Sequence, residues 1–166
     1  MATITQTPRI TIREFLPEEL ETYLAHFVGE EFLRYIPKRT RDERINIFHT
    51  ALSKYPESKT RGIWGMFDVK DGSFIGSCLL RPFNDNNSIL ELGYSIEQKL
   101  WGMGYASEMA AGMVRHALAD DNIKQIVAFT SLPNIASQKV LEKAGLARAG
   151  NQTRDGEELA FFTLSR

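Results

Sequence analysis

Residues 88–117 read SILELGYSIEQKLWGMGYASEMAAGMVRHA, and this stretch decides the fold of the chain. Over Ser88–Ile96, apolar side chains alternate with other residues at the period of two that is typical of a β-strand. From Tyr105 onward the apolar residues recur every three or four positions, which predicts an amphipathic helix with one apolar face. A turn that carries Gly102 and Gly104 separates the two. The stretch therefore predicts a strand, a glycine-bearing turn and a helix, in that order.

The turn at residues 99–104 has features of an anion site. Glycine adopts backbone conformations that other residues avoid, and it lets a ligand approach the main chain closely. The free N–H groups at the start of the following helix favour an anion, above all a phosphate. A Gly-x-Gly pair fits a plain tight turn equally well, and the chain has neither the P-loop pattern nor the third glycine of a dinucleotide site. The turn alone leaves a phosphate site and a structural turn both open.

A second strand–helix unit follows the central helix. Ile123–Thr130 is rich in β-forming residues and predicts a short strand. Pro133 and Asn134 suit the start of the next helix, and Gly145 suits its end.

Together, the two units resemble the GNAT superfamily of acetyl-CoA-dependent N-acetyltransferases. The turn Lys99–Gly104 is similar to its pyrophosphate-binding motif, Gln/Arg-x-x-Gly-x-Gly/Ala before a long helix. Residues 134–145 are similar to its next unit, Asn-x-x-Ser-x-x-Val-Leu-Glu-Lys-x-Gly. The resemblance covers Ile89–Leu146 and is greatest to the branch that acetylates the serine or alanine N-termini of ribosomal proteins.

The resemblance implies a set of contacts with acetyl-CoA. Backbone N–H groups of residues 102–106 would hold the pyrophosphate, with the Ser107 hydroxyl as a further donor. The main chain of Tyr94–Ile96 would pair with pantetheine as an added strand and polarise the thioester carbonyl. The cofactor-binding residues predicted in this way are Tyr94, Ser95, Ile96, Lys99, Gly102, Met103, Gly104, Tyr105, Ala106, Ser107, Asn134 and Ser137.

Asn134 and Ser137 have two interpretations. Asn134 is a favoured helix N-cap, and the Ser137 hydroxyl can add local backbone bonds, so capping alone explains both residues. The resemblance implies instead that Asn134 bonds the pantetheine amide and that Ser137 lies near the sulfur, as a hydrogen-bond donor or acid.

The chain departs from the family pattern at two positions. Lys99 stands where the family favours Gln or Arg, a mild change because the backbone does most of the phosphate binding. Leu141 stands where other branches carry a tyrosine that protonates the leaving thiolate. The tyrosine acid therefore cannot be transferred to this chain, and the general acid is left open.

Glu91 is the predicted general base. It lies mid-strand, on the face opposite Leu90, Leu92 and Tyr94. An α-amine has a pKa of about 7.7–8.0 and lysine one of about 10.4, so the acceptor must lose a proton before it attacks a thioester. Partial burial is expected to raise the pKa of Glu91 into a useful range. The alternative is a solvent-facing carboxylate on a half-exposed strand.

The other segments predict the rest of a mixed α/β fold. Strands are predicted at 9–15, 63–69, 74–83, 146–152 and 158–164, helices at 17–28 and 41–55, and an irregular segment at 29–37. The predicted order is β-α-α-β-β-β-α-β-α-β-β, a mixed sheet with helices on its faces, as the GNAT resemblance also implies. Residues 1–166 are expected to form one domain.

Composition and charge exclude several classes of protein. The chain is 43% hydrophobic and 25% charged, as ordinary globular proteins are, and its net charge of −1 indicates neither a nucleic-acid nor a membrane partner. No apolar run approaches the ~18 residues of a membrane span, and residues 1–8 lack a signal-peptide core, so a cytoplasmic location is expected. The single cysteine, Cys78, predicts a buried thiol. His26, His49 and His116 have no ligand-like spacing, so no metal and no chemical role are assigned to them.

The predicted function is transfer of an acetyl group from acetyl-CoA to a primary amine by direct attack in a ternary complex, with Glu91 and Ser137 as catalytic residues. The acceptor, a peptide N-terminus or a small-molecule amine, is expected to enter between the N-terminal helices and the final hairpin. A non-catalytic CoA-binding sensor or interaction module, and a longer acyl donor, both stay open as alternatives. Monomer and homodimer are open as well.

Overall fold

One sheet of eight strands runs through the protein, in the order β1-β2-β3-β4-β5-β6-β8-β7. The structure is a computed structural model and describes residues 1–166. The strands are β1 (Thr3–Gln6), β2 (Ile10–Arg13), β3 (Gly62–Asp68), β4 (Phe74–Phe83), β5 (Asn86–Ile96), β6 (Gln125–Ser131), β7 (Ala147–Arg154) and β8 (Glu157–Ser165). The helices are α1 (Leu20–His26), α2 (Glu30–Leu33), α3 (Arg41–Lys54), α4 (Tyr105–Leu118) and α5 (Ile135–Lys143).

The two central strands, β5 and β6, are parallel, whereas all other neighbouring strands are antiparallel. They pair only through Ile89–Glu91 and Gln125–Val127. Beyond these residues β5 continues to Ile96 and β6 to Ser131 without pairing to each other. The strands therefore splay apart, and a cleft opens in the middle of the sheet.

The sheet face covered by α4 and α5 holds the main core, a cluster of 24 buried residues. The alternation of β5 turns Leu90 and Leu92 toward this face, where they belong to the same cluster as Met109 and Met113 of α4. Each such side chain contributes about 1.5–3 kcal/mol when it is removed from water. Cys78 lies in this cluster at 1% exposure, and burial raises its pKa, so the predicted buried thiol is confirmed.

The opposite face carries α1 and α3, which lie mainly over β3 and β4, and His26 at the end of α1 contacts β5. A smaller, mostly aromatic cluster fixes these helices to the sheet, and its members are Phe15, Tyr23, Leu24, Phe48 and Phe67. The same face at β6 and β8 is left free of helices. This free area adjoins the cleft and is open to a ligand.

The predicted fold class is confirmed, with two elements that the sequence did not predict. β1 and α2 contain four residues each, which is too few to show a period. Packing determines both: β1 pairs with its hairpin neighbour β2 and contacts α4, and α2 buries Phe32 to 4% exposure. No helix of the protein has the length and apolar character needed to cross a lipid bilayer.

Candidate functional site

The cleft between β5 and β6 receives the N-termini of α4 and α5. Each helix follows the carboxyl end of one of the two parallel strands, and ligands of open α/β sheets bind at that edge. A cavity of about 790 Å³ occupies this place. Its size is typical of a small-molecule site.

The turn before α4 has the backbone that the sequence indicated. Gly102 and Gly104 have φ angles of +77° and +84°, in the region that favours glycine. No side chain caps α4, and its first helical bond runs from the Glu108 N–H to the Gly104 carbonyl. The N–H groups of residues 105–107 are therefore free of helical partners, and an anion at the helix start can accept hydrogen bonds from them.

A side-chain brace holds this turn against the N-terminal hairpin. The Arg9 side chain donates from Nε to the Glu108 carboxylate at 2.8 Å and from Nη1 to the Met103 carbonyl at 3.0 Å. Glu108 also accepts bonds from the Thr7 hydroxyl at 2.5 Å and from the Arg9 N–H at 2.8 Å. Burial by itself raises the pKa of Glu108, but these bonds from Thr7 and Arg9 hold it below its ordinary value. Glu108 is consequently an anion that connects the glycine turn before α4 to the N-terminal hairpin of β1 and β2.

Most of the predicted cofactor-binding residues line the cavity. They are Tyr94, Ser95, Ile96, Gly102, Gly104, Tyr105, Ala106, Ser107, Asn134 and Ser137. Lys99 and Met103 are not among the lining residues, and the Met103 carbonyl is already bonded to Arg9. Lys139 and Lys143 of α5 also line the cavity and add positive charge to it.

Two stacked aromatic rings close one side of the cavity. The rings of Phe32 and Trp101 lie 6.2 Å apart between centroids, with 20° between their planes. The Trp101 indole donates to the Ile96 carbonyl at 2.8 Å, which fixes the ring against the end of β5. The α2 region, which the sequence predicted as irregular, thus supplies a wall of the site through Phe32, Tyr35 and Ile36.

The hydroxyl groups of Tyr94 and Ser137 meet at 2.8 Å, bridging β5 and α5. Asn134 caps α5 by accepting a bond from the Ser137 N–H at 3.2 Å, so the predicted cap is confirmed. Burial raises the pKa of Tyr94, and the bond to Ser137 offsets part of this effect. Leu141, at 1% exposure, is a core residue. The Tyr94 phenol of β5 therefore lies beside Ser137. Position 141 of α5, where other branches of the family carry a tyrosine, holds a leucine.

Glu91 lies outside the lining of the cavity and is held by two arginines. Arg154 contacts both carboxylate oxygens, at 2.6 and 2.9 Å, and Arg81 contacts one of them at 3.0 Å. Burial by itself raises the pKa of Glu91, but the guanidinium groups of Arg154 and Arg81 hold it below its ordinary value. The expectation of a raised pKa is wrong, and so is the solvent-facing alternative, because Glu91 is only 6% exposed. Whether Glu91 acts as a base stays a prediction.

Sequence analysis assigned no role to the two arginines. Arg81 is the direct cross-strand partner of Glu91, and the predicted pairing of their two strands was a signal that they lie near each other. Counting outward from the predicted turn at 84–87 pairs Arg81 with Leu90 instead, because the register shifts between Pro82 and Phe83. Arg154 has no such signal, since it is far away in the sequence. Its guanidinium lies 3.8 Å from the centre of the Phe129 ring, on the face that carries no helix. Arg81, Arg154 and Glu91 together leave one positive charge there.

Comparisons with known proteins agree with this geometry. Residues 9–147 match the family model described as the acetyltransferase (GNAT) domain. The N-acetyltransferase YoaA of Bacillus subtilis, whose function is uncharacterized, is 27% identical over 154 residues, which is 90% of this chain and 86% of that protein.

Two solved structures show the same fold. One comes from Vibrio cholerae and is described provisionally as a ribosomal-protein-serine acetyltransferase. It has a TM-score of 0.80 and 16% identity, with 99% of this chain and 98% of that chain covered. The other is the aminoglycoside acetyltransferase AAC(6′)-Ib with coenzyme A. It has a TM-score of 0.78 and 14% identity, with 95% of each chain covered.

Proposed function

Since the chain belongs to the GNAT acetyltransferase family and is an acetyl-CoA-dependent N-acetyltransferase, we propose that its acceptor is a primary amine, on a peptide N-terminus or a small molecule, and that the amine attacks directly in a ternary complex. One observation carries the proposal. A single cavity joins the uncapped N-terminus of α4 to the hydroxyl pair Tyr94–Ser137, as a cofactor with a phosphate end and a sulfur end requires.

The phosphate end of acetyl-CoA binds at the start of α4. The free N–H groups of residues 105–107 and the positive end of the helix dipole favour an anion there. Lys139 and Lys143 line the same cavity and add two positive charges. Gly102 leaves the main chain bare toward the ligand, because a Cβ on it would meet no atom within 4 Å.

The pantetheine arm lies along the free edge of β5. Residues 92–96 have no partner on β6, so their main chain can accept an added strand. Backbone N–H groups on this edge polarise the thioester carbonyl and stabilise the charge that develops on its oxygen. Bound there, acetyl-CoA supplies an activated acetyl group.

The hydroxyl pair Tyr94–Ser137 serves the sulfur side of the reaction. A thiolate that leaves the tetrahedral intermediate needs a proton or a hydrogen-bond donor, and either hydroxyl can donate while the other relays. The side chain of residue 141 cannot do this, because Leu141 is apolar and buried.

The acceptor approaches from the sheet face opposite α4 and α5, over β6 and β8, where no helix covers the sheet. The helices α1 and α2 border this area on one side, and the β7–β8 hairpin borders it on the other. Arg154 lies on this face over the Phe129 ring, and the guanidinium groups of Arg81 and Arg154 together exceed the charge of Glu91 by one. An acceptor with a carboxylate near its amine suits this surface better than a polycation, because like charges repel.

A CoA-release assay across a panel of amines tests the function, with acetyl-CoA affinity measured separately by calorimetry. We expect release with a subset of amines, and Tyr94→Phe combined with Ser137→Ala should lower kcat by about 10²-fold at unchanged acetyl-CoA affinity. Ser53→Ala is the matched control, since it removes a hydroxyl that only bonds the Thr50 carbonyl in α3. Tight acetyl-CoA binding without release to any amine would overturn the proposal in favour of a non-catalytic CoA-binding module.

A further inference from the structure

A buried histidine connects the cavity to the surface through two hydrogen bonds. His26 is the last residue of α1, and its side chain is 0% exposed. Its Nε2 lies 2.8 Å from the Ser95 Oγ, and its Nδ1 lies 2.8 Å from a Glu97 carboxylate oxygen. Ser95 lines the cavity, whereas the Glu97 side chain is 29% exposed. The three residues form a continuous chain of hydrogen bonds from the cavity to solvent.

The chemistry of the partners fixes the state of the imidazole. A carboxylate only accepts hydrogen bonds, so Nδ1 carries the proton and donates to Glu97. Nε2 then has its lone pair free and accepts from the Ser95 hydroxyl. Burial lowers the pKa of His26, and the bond to Glu97 offsets part of this effect, so the imidazole is neutral at pH 7. Its Nε2 is therefore a basic nitrogen that is connected to the cavity through the Ser95 hydroxyl.

The surroundings of His26 are otherwise apolar. Three aromatic rings meet the imidazole edge to face, those of Phe27, Phe32 and Phe74, at centroid distances of 5.0, 4.6 and 5.2 Å. The charged groups that act on it are Glu97 at the end of β5 and Arg44 of α3. Such a site excludes water from the imidazole, so its lone pair is reached only through Ser95.

The position of Ser95 connects this chain of bonds to the reaction. Ser95 belongs to the segment of β5 whose main chain is proposed to hold the thioester arm. By the alternation of the strand, its side chain lies on the same face as Glu91, which is the face from which the acceptor approaches. The acceptor ammonium therefore arrives where the Ser95 hydroxyl points.

We propose that Ser95, His26 and Glu97 form a relay that removes the proton from the acceptor ammonium. The relay rests on the function proposed above. As one N–H bond of the ammonium breaks, the Ser95 Oγ takes that proton and passes its own to Nε2 of His26. Glu97 accepts the hydrogen bond from Nδ1–H and thereby stabilises the resulting imidazolium. Its partly exposed carboxylate also connects the imidazolium to solvent, to which the proton is released.

The remaining steps balance. The electron pair left on nitrogen attacks the thioester carbon, so a C–N bond forms and the C–S bond breaks. The Tyr94–Ser137 pair donates a proton to the thiolate. The nitrogen loses its second proton to solvent, and a proton from solvent restores the hydroxyl pair. Ammonium and acetyl-CoA thus yield amide, free CoA and one proton, which the relay delivers to water.

The first test needs no turnover. The chain has only three histidines, so ¹⁵N NMR can assign each ring by comparing wild type with His26→Gln and His49→Gln. We expect His26 to be neutral at pH 7 with the proton on Nδ1, and Ser95→Ala to shift its Nε2 signal while His49 and His116 stay unchanged. A proton on Nε2, or no response to Ser95→Ala, would overturn the relay.

The second test separates a relay from a structural contact. Wild type, Ser95→Ala and His26→Gln are compared on an acceptor from the amine panel that is charged at pH 7 and on trifluoroethylamine, which is already neutral. The relay predicts a loss in kcat/KM of about 10²-fold for the charged amine that shrinks at high pH, and little loss for the neutral one. His49→Gln, an exposed helical histidine, should match wild type on both.

Equal losses on both amines would mean that His26 only fastens α1 to β5, and the relay would be rejected. Acetylated Ser95, detected by mass spectrometry after mixing with acetyl-CoA alone, would make Ser95 a nucleophile and reject the relay as well. Ser95→Ala keeps the His26–Glu97 bond, so the test holds even if His26→Gln fails to fold. If wild type acetylates no amine, the proposed function fails. The NMR measurement needs no turnover, so it still shows in that case whether Ser95, His26 and Glu97 are connected as described.

Discussion

At the scale of single residues, the protonation state of each polar group near the site follows from what it touches. Two guanidinium groups keep Glu91 an anion, whereas an apolar cage keeps His26 neutral. Burial keeps the Tyr94 phenol protonated beside Ser137. The Glu91 carboxylate is thus suited to anchoring the two arginines, the His26 imidazole to accepting a proton, and the Tyr94 phenol to donating one.

Gly104→Val should abolish most of the acetyl-CoA affinity. The positive φ of Gly104 strains any β-branched residue by about 1–2 kcal/mol, and a Cβ would lie 3.3 Å from the Arg9 guanidinium at the phosphate turn. Gly72→Val is the matched control, since Gly72 has a similar φ of +74° but lies in a hairpin with no neighbour within 4 Å. Calorimetry with acetyl-CoA should show lost binding in the first variant only. Equal affinity in both would remove the phosphate assignment of the turn.

Glu91→Gln distinguishes a base from a charge anchor. The structure makes Glu91 the partner of Arg81 and Arg154, so we expect a loss of about 1–3 kcal/mol in unfolding free energy, measured by urea titration. We also expect a rate loss that is the same at every pH above about 5, because the lowered pKa of Glu91 keeps the carboxylate an anion there. A loss of 10²–10⁴-fold that shrinks at high pH would show instead that Glu91 is the general base.

At the scale of elements, the sequence predicted best where a period is long and local. β5 and α4 were placed from their periods of two and 3.6, and the turn between them was placed from its glycines. The predicted hairpin strands at 63–69 and 74–83 were also found, at Gly62–Asp68 and Phe74–Phe83. β1 and α2 were missed because four residues carry no period.

The site followed the same rule. The glycine turn before α4 and the Asn134 cap lie within continuous motifs, so the sequence alone indicated them. The contacts of His26 with Ser95 and of Arg154 with Glu91 join residues 69 and 63 positions apart. Such pairs form only once the sheet has folded and brought distant elements together. No local pattern predicts them.

Glu108→Gln should loosen the start of α4 without removing it. The Glu108 Oε2 accepts from the Thr7 hydroxyl and the Arg9 N–H, and its Oε1 accepts from the Arg9 Nε. Glutamine keeps one oxygen, which accepts more weakly, and its NH2 group cannot accept the remaining bond. We expect the Kd for acetyl-CoA to rise by about tenfold, the equivalent of one charge-assisted bond of roughly 1.5 kcal/mol. Glu21→Gln is the control, because it breaks the exposed ion pair with Arg41 far from the cavity. Unchanged affinity in Glu108→Gln would mean that the brace does not position the turn.

At the scale of the whole molecule, one continuous sheet connects every part of the site. β1 and β2 brace the phosphate turn, β5 and β6 form the cleft, and Arg154 at the end of β7 reaches back to Glu91. We propose that residues 1–166 fold as one domain, because the final hairpin continues the same sheet through the pairing of β8 with the central strand β6. A single cooperative unfolding transition is expected, with fluorescence and circular dichroism giving the same midpoint.

The stability of that single unit should fall in two steps as the pH is lowered. The folded state lowers the pKa of His26 below its ordinary value of about 6.5, so the unfolded chain takes up this proton first and stability declines as the pH falls below about 6.5. Four glutamates that are buried or half-buried also have pKa values below their ordinary value of about 4.3, and protonating them costs further stability below that pH. They are Glu14, Glu19, Glu91 and Glu108. Urea titrations at a series of pH values should show both steps in wild type and in His49→Gln. His26→Gln should remove the upper step and keep the lower one, whereas a wild type of constant stability between pH 7 and 5 would show that His26 is not held neutral by the fold.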